Sequence, residues 1–427
     1  MAVVAECKRG EFLMVDYLVT DTELTNIANA IRTKAGGSSP LEFPTEFVST
    51  INNIPVKTAS VPPNDVNFID YDGSIIASYS AADFANLSAL PANPTHEGLI
   101  AQGWNWTLSD AKTYVTKYGF LDIGQNYDTD DGSLRLYVEV PESASAQVGL
   151  AFRVYGSGDN VTVDWGDGSV DTITSSSGTP QHTYSNRGNY VIKIQIPSTR
   201  YLSGFGSSRG LVYTPTSGRL LIKKAELSSR WKPNTSSAYG YEFNNCKNLE
   251  TITIPNKAND LNYYRISYNM FSSCMNLKAA VIPSGAYMKL GAVFDNCYTI
   301  GRISMPKSLV DNSMAGSYKF RNCYLLKRIT IPTGLTSIES SCFSACTSLL
   351  KVVIPEDITT IAASAFSGCS NLREIHFKAS TPPTVANSNA WTSLPTDCVI
   401  YVPSGYLSAY TSASNYPSSS TYTYIEE

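Results

Sequence analysis

Three histidines, nine cysteines and a few aspartate clusters are the side chains that chemistry in this chain would have to use. His96 lies in Pro94-Thr95-His96-Glu97, His182 in His182-Thr183-Tyr184, and His376 in an alternating apolar run. None stands at a recognised spacing from a serine or cysteine nucleophile. Gly204-x-Gly206 with Gly210 misses the dinucleotide-binding spacing by one residue and lacks strand context. Asp128-Thr129-Asp130-Asp131-Gly132 matches part of a calcium-loop pattern but lacks the later glutamate, so it reads as a turn. Asp164 and Asp167 offer two carboxylates to a cation, and here too a turn is the stronger reading. The sequence predicts no catalytic residue, no metal site and no cofactor.

The elements that must position any site begin with composition. The 427 residues carry 32 basic and 36 acidic side chains, a formal charge of -4. That provides no basic field for nucleic acid and no polybasic patch for anionic lipid. Charged residues are 16% of the chain, against roughly 25% in an average soluble protein. The 27 tyrosines are good contact material wherever they reach the surface. No apolar run approaches the ~20 residues that span a bilayer, so membrane insertion is not expected. Met1–Ala5 runs into Glu6, Cys7 and Lys8 without a basic leader and apolar core, so no secretory signal is expected. Lys8-Arg9-Gly10-Glu11 can be encoded by AAA AGA GGA GAA, a ribosome-binding site, which makes residues 1–13 an expected non-native extension before Met14.

The length predicts two to four domains. Residues 14–56 read as a helical hairpin. Thr20 and Glu23 form a capping pair, Leu24, Ile27, Ala28 and Ile31 follow at helical spacing, and Gly36-Gly37 stops the helix. Pro44 opens a second helix showing Phe47, Val48, Ile51 and Ile54. So small a pair cannot stand alone; it docks on its own chain or, in the reading adopted, serves attachment or oligomerisation. Residues 57–133 read as a small α/β region. Val66, Phe68 and Ile69 face Ile75, Ile76 and Tyr79 across a Tyr71-Asp72-Gly73 turn, and Leu108, Ala111, Val115 and Tyr118 mark a helix ended by Gly119. Trp104 and Trp106 either fill that region's core or stack on a sugar, with core the expected role.

Residues 134–198 read as a β-sandwich. Val161, Val163 and Trp165 alternate up to Gly166-Asp167-Gly168, and Tyr190, Ile192, Ile194 and Ile196 alternate after Gly188. Trp-Gly-Asp-Gly, then His-Thr-Tyr, then Gly-x-Tyr resembles the PKD-type immunoglobulin-like module, and that resemblance implies a spacer or binding module.

From Tyr241 a motif recurs six times. Phe243, Phe271, Phe294, Phe320, Phe343 and Phe366 each precede a cysteine by three residues: Cys246, Cys274, Cys297, Cys323, Cys346 and Cys369. Leu, then Ile-x-Ile, then usually Pro complete each copy. The cysteines are 28, 23, 26, 23 and 23 residues apart, a solenoid period. One copy buries about five apolar side chains at ~1.5–3 kcal/mol each. Ordering its roughly 23 residues costs ~1–2 kcal/mol apiece. A lone copy therefore loses, and only stacking against neighbours closes the gap. Six cysteines in one column have no unique partner, so they pack as small apolar groups; Cys342 and Cys398 lie nearby with no metal-ligand spacing. The motif resembles the BspA-like leucine-rich repeat family. The resulting fold class is multidomain: α-hairpin, small α/β region, PKD-type β-sandwich, linker and N-terminal cap over 199–240, leucine-rich-repeat solenoid over 241–379, and C-terminal cap over 380–427.

The strand positions that point outward should form columns. One holds Thr251, Ala279, Arg302, Arg328, Lys351 and Glu374; the next holds Thr253, Val281, Ser304, Thr330, Val353 and His376. Solenoid faces of this kind are frequent binding surfaces. The candidate binding face comprises Arg302, Arg328 and Lys351 together with Tyr263, Tyr264, Tyr268, Tyr287, Tyr298 and Tyr324; Tyr318 lies in the same tyrosine-rich stretch. The layout, with its Tyr17-Leu18-Val19-Thr20-Asp21-Thr22-Glu23-Leu24 segment, resembles tail-associated proteins of phages and prophages. That resemblance implies a non-catalytic tail fibre or receptor-binding protein located in the virion. It also implies a host cell-surface glycan or protein as partner, other tail or baseplate proteins at the N-terminal hairpin, and a possible homo-oligomer. A bacterial cell-surface BspA-like adhesin and an accessory carbohydrate-binding protein are the alternatives. Titration of the unfolded, unreduced protein should count all nine cysteines as free thiols; a lower count would contradict the packing argument.

Overall fold

The computed structural model describes residues 65–427 apart from 142–145, 205–210, 215, 233–240, 257–265, 267–268, 287, 289–290, 308 and 310–316. The chain falls into two units, Met1–Ser60 and Val61–Glu427, and every described residue belongs to the second. The expected extension over 1–13 and helical hairpin over 14–56 lie outside the described residues. The described chain is mostly β, with few helices, and ends in a solenoid of stacked rungs.

Residues 65–133, here called the module, form one sheet with two helices. Strands β1 (Val66–Ile69), β2 (Ile75–Tyr79), β3 (Leu99–Trp104) and β4 (Leu121–Thr129) are ordered β2-β1-β4-β3, with β1 and β4 parallel. The β1–β2 turn is the expected one: Asp72 Oδ1 accepts from Ser74 N at 2.8 Å and Gly73 takes φ 87. Helix α1 (Ala81–Ala85) is capped by Ser80, and α2 (Leu108–Tyr118) by Thr107; Gly119 ends α2 in the left-handed conformation. Phe68, Phe84, Trp106, Tyr114, Val115 and Ile123 build the module's core. Trp106 is buried in this core and Trp104 packs edge-on to Phe68 at 4.9 Å, the expected core role.

Eleven strands follow: β5 (Leu134–Val140), β6 (Ala146–Leu150), β7 (Phe152–Gly156), β8 (Val161–Asp164), β9 (Val170–Ile173), β10 (Ser177–Gly178), β11 (Gln181–Tyr184), β12 (Gly188–Gln195), β13 (Arg200–Ser203), β14 (Val212–Thr214) and β15 (Ile222–Glu226). The motif residues of this region meet. His182 stacks on Trp165 at 5.1 Å, Tyr184 stacks on Tyr190 at 4.4 Å, and the Tyr184 hydroxyl donates to Trp165 O at 2.8 Å. The stretch 199–240, expected as linker and cap, supplies three sheet strands: β13 pairs with β7, β14 with β6, and β15 with β5. Their partners lie 44–91 residues away in sequence, so local pattern did not announce them.

The junction to the solenoid is a shared sheet. β15 runs parallel to β16 (Thr251–Thr253), so one sheet passes through β9-β8-β12-β5-β15-β16 without a break. Rungs then stack through β17 (Ala279–Val281), β18 (Arg302–Ser304), β20 (Lys351–Ile354) and β22 (Glu374–Phe377). The return side carries β19 (Ser337–Ile338), β21 (Thr360–Ile361) and β23 (Thr384–Val385), paired in parallel. Beyond residue 379 the stack continues: β24 (Val399–Val402) pairs with β22, and β25 (Thr423–Glu426) pairs with β24.

Two ladders hold the rungs. Phe243, Phe271, Phe294, Phe320, Phe343 and Phe366 stack with centroids 5.3–6.0 Å apart and planes within 17°, and Trp391 extends the series at 5.4 Å. Each cysteine thiol donates to the phenylalanine carbonyl of the rung before it, at 3.1–3.3 Å from Cys274 to Cys369. The eight described cysteines are free and buried, and burial raises Cys246, Cys342 and Cys369 to about 12. The residue before each cysteine is left-handed: Asn245, Ser273, Asn296, Asn322, Ala345 and Gly368 have φ between 58 and 79. That conformation aims its N–H at the next rung, as in Asn296 to Arg321 O at 2.9 Å and Gly368 to Thr392 O at 2.7 Å.

Glu242 sits at the junction, fully buried, with Oε2 unpaired. Burial raises its carboxyl from 4.5 to about 7. The native state then holds a proton that the unfolded chain has released between those values. Stability from this group is complete below about 4.5 and falls as pH rises through 7. The loss is roughly 3 kcal/mol at full ionisation. Glu242→Gln should therefore raise the urea midpoint at pH 8 and leave it nearly unchanged at pH 4.5; equal shifts at both would refute the assignment.

Candidate binding surface

The columns read as an open strand face are covered. Ala279, Val281, Thr253, Ser304, Thr330 and Val353 are all buried, and the cover is the module. Strand β4 crosses the rungs so closely that a Cβ on Gly124 would lie 2.4 Å from Val281 Cγ1 and 2.9 Å from Ser304 Cβ. The turn after β3 and helix α2 complete the contact. Asn105 Nδ2 donates to Ile282 O at 2.9 Å, Trp106 Nε1 to Met305 O at 2.8 Å, and the Tyr114 hydroxyl to Ile331 O at 3.1 Å. Ion pairs rim it: Lys307 with Asp110 at 2.7 Å, and Lys117 with Glu356.

The expectation of an open basic column is corrected at this point. Arg328 is 5% exposed and grips Asp122 of β4, with Nε 3.1 Å from Oδ1 and 3.3 Å from Oδ2, and a further bond from its terminal nitrogen. Lys351 is half-buried and pairs with Glu374 at 3.1 Å. Hydrogen bonding from His376, and then from Lys351, lowers Glu374 to about 2. Arg302 is half-buried between them and the first rungs. At the rim, Asp65, Phe120, Lys327, Arg328 and Lys351 line a small cleft that opens to solvent. The three cations therefore do not form one solvated patch.

The tyrosines fare differently. Tyr263, Tyr264, Tyr268 and Tyr287 lie outside the described residues. Tyr298 and Tyr324, equivalent positions on successive rungs, stack at 5.0 Å. Arg321 lies 4.3 Å from the Tyr318 ring and binds Asp295 with both fork nitrogens, each at 2.8 Å. Those Asp295 bonds raise the guanidinium further above its ordinary value. Tyr318 is 40% exposed, Tyr324 37% and Leu325 49%. The result is an aromatic shelf whose cation is already locked, so little side-chain entropy remains to be lost on contact.

The remaining candidates are structural. His96 pairs with Asp70 at 2.7 Å, His182 with Asp167 at 2.7 Å, and His376 lies between Glu374 at 3.1 Å and Glu427 at 3.0 Å. Asp164 and Asp167 accept from Gly166 N and Ser169 N, closing the expected turn. In the Asp128–Gly132 segment, Arg135 pairs with Asp130 and Asp131, and Lys193 also pairs with Asp131. Among the described residues, no cluster of His, Cys, Asp or Glu could hold a metal ion, and no helix is long and apolar enough to cross a membrane.

Sequence reading missed the docking residues Asn105, Trp106, Tyr114, Asp122 and Asn126. A signal was present in the outward columns: Ala279, Val281 and Val353 are apolar, which an open face does not require.

Residues 227–316 and 264–390 match the family of BspA type leucine-rich repeat regions, in six copies. The C-terminal region thus carries BspA-type leucine-rich repeats. Among solved structures, a Treponema pallidum leucine-rich repeat protein is similar at 23% identity, over 35% of this chain and 72% of that one, with TM-score 0.28. A leucine-rich cell surface protein from Faecalibacterium prausnitzii A2-165 is similar at 20% identity, over 46% and 64%, with TM-score 0.29. A leucine-rich repeat protein from Bacteroides ovatus is similar at 14% identity, over 48% and 66%, with TM-score 0.22. The chain thus spans slightly under two thirds of the latter two proteins. No curated protein matches the chain.

Asp122→Ala would remove the carboxylate that faces the buried Arg328 guanidinium and should cost about 3–5 kcal/mol in denaturant unfolding. Asp122→Leu with Arg328→Met should recover most of that. Similar losses in both variants would show that the pair does not govern docking.

Proposed function

We propose that this chain is a non-catalytic receptor-binding protein of a phage tail, whose target is a glycan or protein on the host cell surface. One observation carries the adhesive reading. The strand face is occupied by the chain's own module, while Tyr318, Tyr324 and Leu325 remain exposed beside a half-buried Tyr298 that stacks on Tyr324. Exposed aromatics around a fixed arginine are typical contact anchors. The non-catalytic part of the proposal is supported by the histidines, which are held by carboxylates, and by the described thiols, which are buried. Residues 134–198 serve as a PKD-type spacer in this reading. Residues 14–56 attach the chain to other tail or baseplate proteins or to sister copies. The tail setting rests on the resemblance of residues 17–32 and of the overall layout.

A second reading, a bacterial cell-surface adhesin, is favoured by the BspA-type repeat match. Both readings use the same shelf, and antibody labelling separates them: the tail reading puts the chain on virions, the adhesin reading on the bacterial envelope.

Tyr298→Ala with Tyr324→Ala should reduce binding of purified protein to target cells at least tenfold, with an unchanged melting temperature. Arg302→Ala with Lys351→Ala should change binding less than threefold. The reverse pattern would return the receptor site to the basic column.

A further inference from the structure

In a parallel stack, alternate residues bond to the next rung, and the carbonyl of such a residue accepts from the N–H one residue beyond its partner; Ile282 is one of them, since its N–H donates to Ser304 O at 2.9 Å. Val281 pairs with Ser304, so Ile282 O should receive the N–H of residue 306. Residue 306 is proline and has none. The repeat places Pro283, Pro332 and Pro355 in the same relation to Ile254, Met305 and Ile331. Four consecutive carbonyls on the strand face are thus denied their backbone donor, and burying them unpaired would be costly.

Each has a donor, and all four come from the module. Asn126 Nδ2 reaches Ile254 O at 2.9 Å, and Asn105 Nδ2 reaches Ile282 O at 2.9 Å. Trp106 Nε1 reaches Met305 O at 2.8 Å, and the Tyr114 hydroxyl reaches Ile331 O at 3.1 Å. The Asn105 amide is oriented independently, because its oxygen accepts from Gly124 N at 2.9 Å. The next rung is an internal control. Lys378 stands where the proline would be, and its N–H donates to Ile354 O at 3.0 Å. The module's row of donors ends one rung earlier.

We propose that the proline column and the module are a matched pair. Each proline withholds an N–H from the rung before it, and the freed carbonyl selects a side-chain donor from residues 65–133. The strand face is a docking site that reads donors at one-rung spacing, its occupant is this chain's own module, and Asn105, Trp106, Tyr114 and Asn126 are its specificity determinants. The prolines, which as a sequence pattern merely end each strand, define the extent of the interface. This inference does not depend on the adhesive reading, because it concerns the covered face and not the tyrosine shelf.

The test is a double-mutant cycle in the full chain. Tyr114→Phe removes only the hydroxyl; Pro355→Ala gives Ile331 O a backbone N–H. Hydrogen exchange of the 120–129 segment reports undocking. Tyr114→Phe should raise its exchange about tenfold, the effect of losing one buried hydrogen bond. Pro355→Ala should bring the double variant back to within about twofold of the parent. No effect of Tyr114→Phe, or the same effect with and without Pro355→Ala, would overturn the proposal. If Pro355→Ala fails to fold, Asn126→Ala with Pro283→Ala runs the same cycle on Ile254 O, with the same two outcomes.

Discussion

No rung of this protein is stable alone; each is held by the rung beside it. The phenylalanine stack and the thiol-to-carbonyl ladder supply that support along the interior. Stacking rings add roughly 0.5–1.5 kcal/mol beyond burial, and the left-handed residue before each cysteine directs one more N–H across the gap. Nearest-neighbour stability of this kind leaves three surfaces to close: two ends and the strand face. The rest of the fold is the solution to those closures.

The N-terminal end is closed by sheet continuation, because β15 offers a parallel edge to the first rung. The C-terminal end is closed by further strands, and Tyr410 and Tyr416 pack around Phe377 below Trp391. The strand face is closed by a module that precedes it by well over a hundred residues. That last closure bears on the proposed function: a face that looks available on the repeats alone is spent on intramolecular contact, which is why the proposal turns to Tyr298 and Tyr324 instead.

The legibility of the sequence follows the range of the interactions. The Phe-x-x-Cys-x-x-Leu spacing reveals the rungs because each rung repeats the same local demand. The Asp72-Gly73 turn and the Thr107-to-Gly119 helix are legible because their caps lie within a few residues of what they cap. Docking is not legible in that way. Asn105 and Ile282 are 177 residues apart, and Tyr114 and Ile331 are 217 apart. Arg328 reads as a surface cation until Asp122 is placed beside it. The proline at the end of the first five motif copies is in plain view, but its consequence depends on register, which only the stacked structure provides.

Module and solenoid form one cooperative body through the contacts of β4, Asn105, Trp106 and Tyr114 with the rungs. Native-state hydrogen exchange in low denaturant measures this directly. The amides of β1 and β4 should open with the same free energy and denaturant slope as those of β20 and β22. Exchange of β1 and β4 through a separate, lower-energy opening that leaves the rungs protected would contradict it.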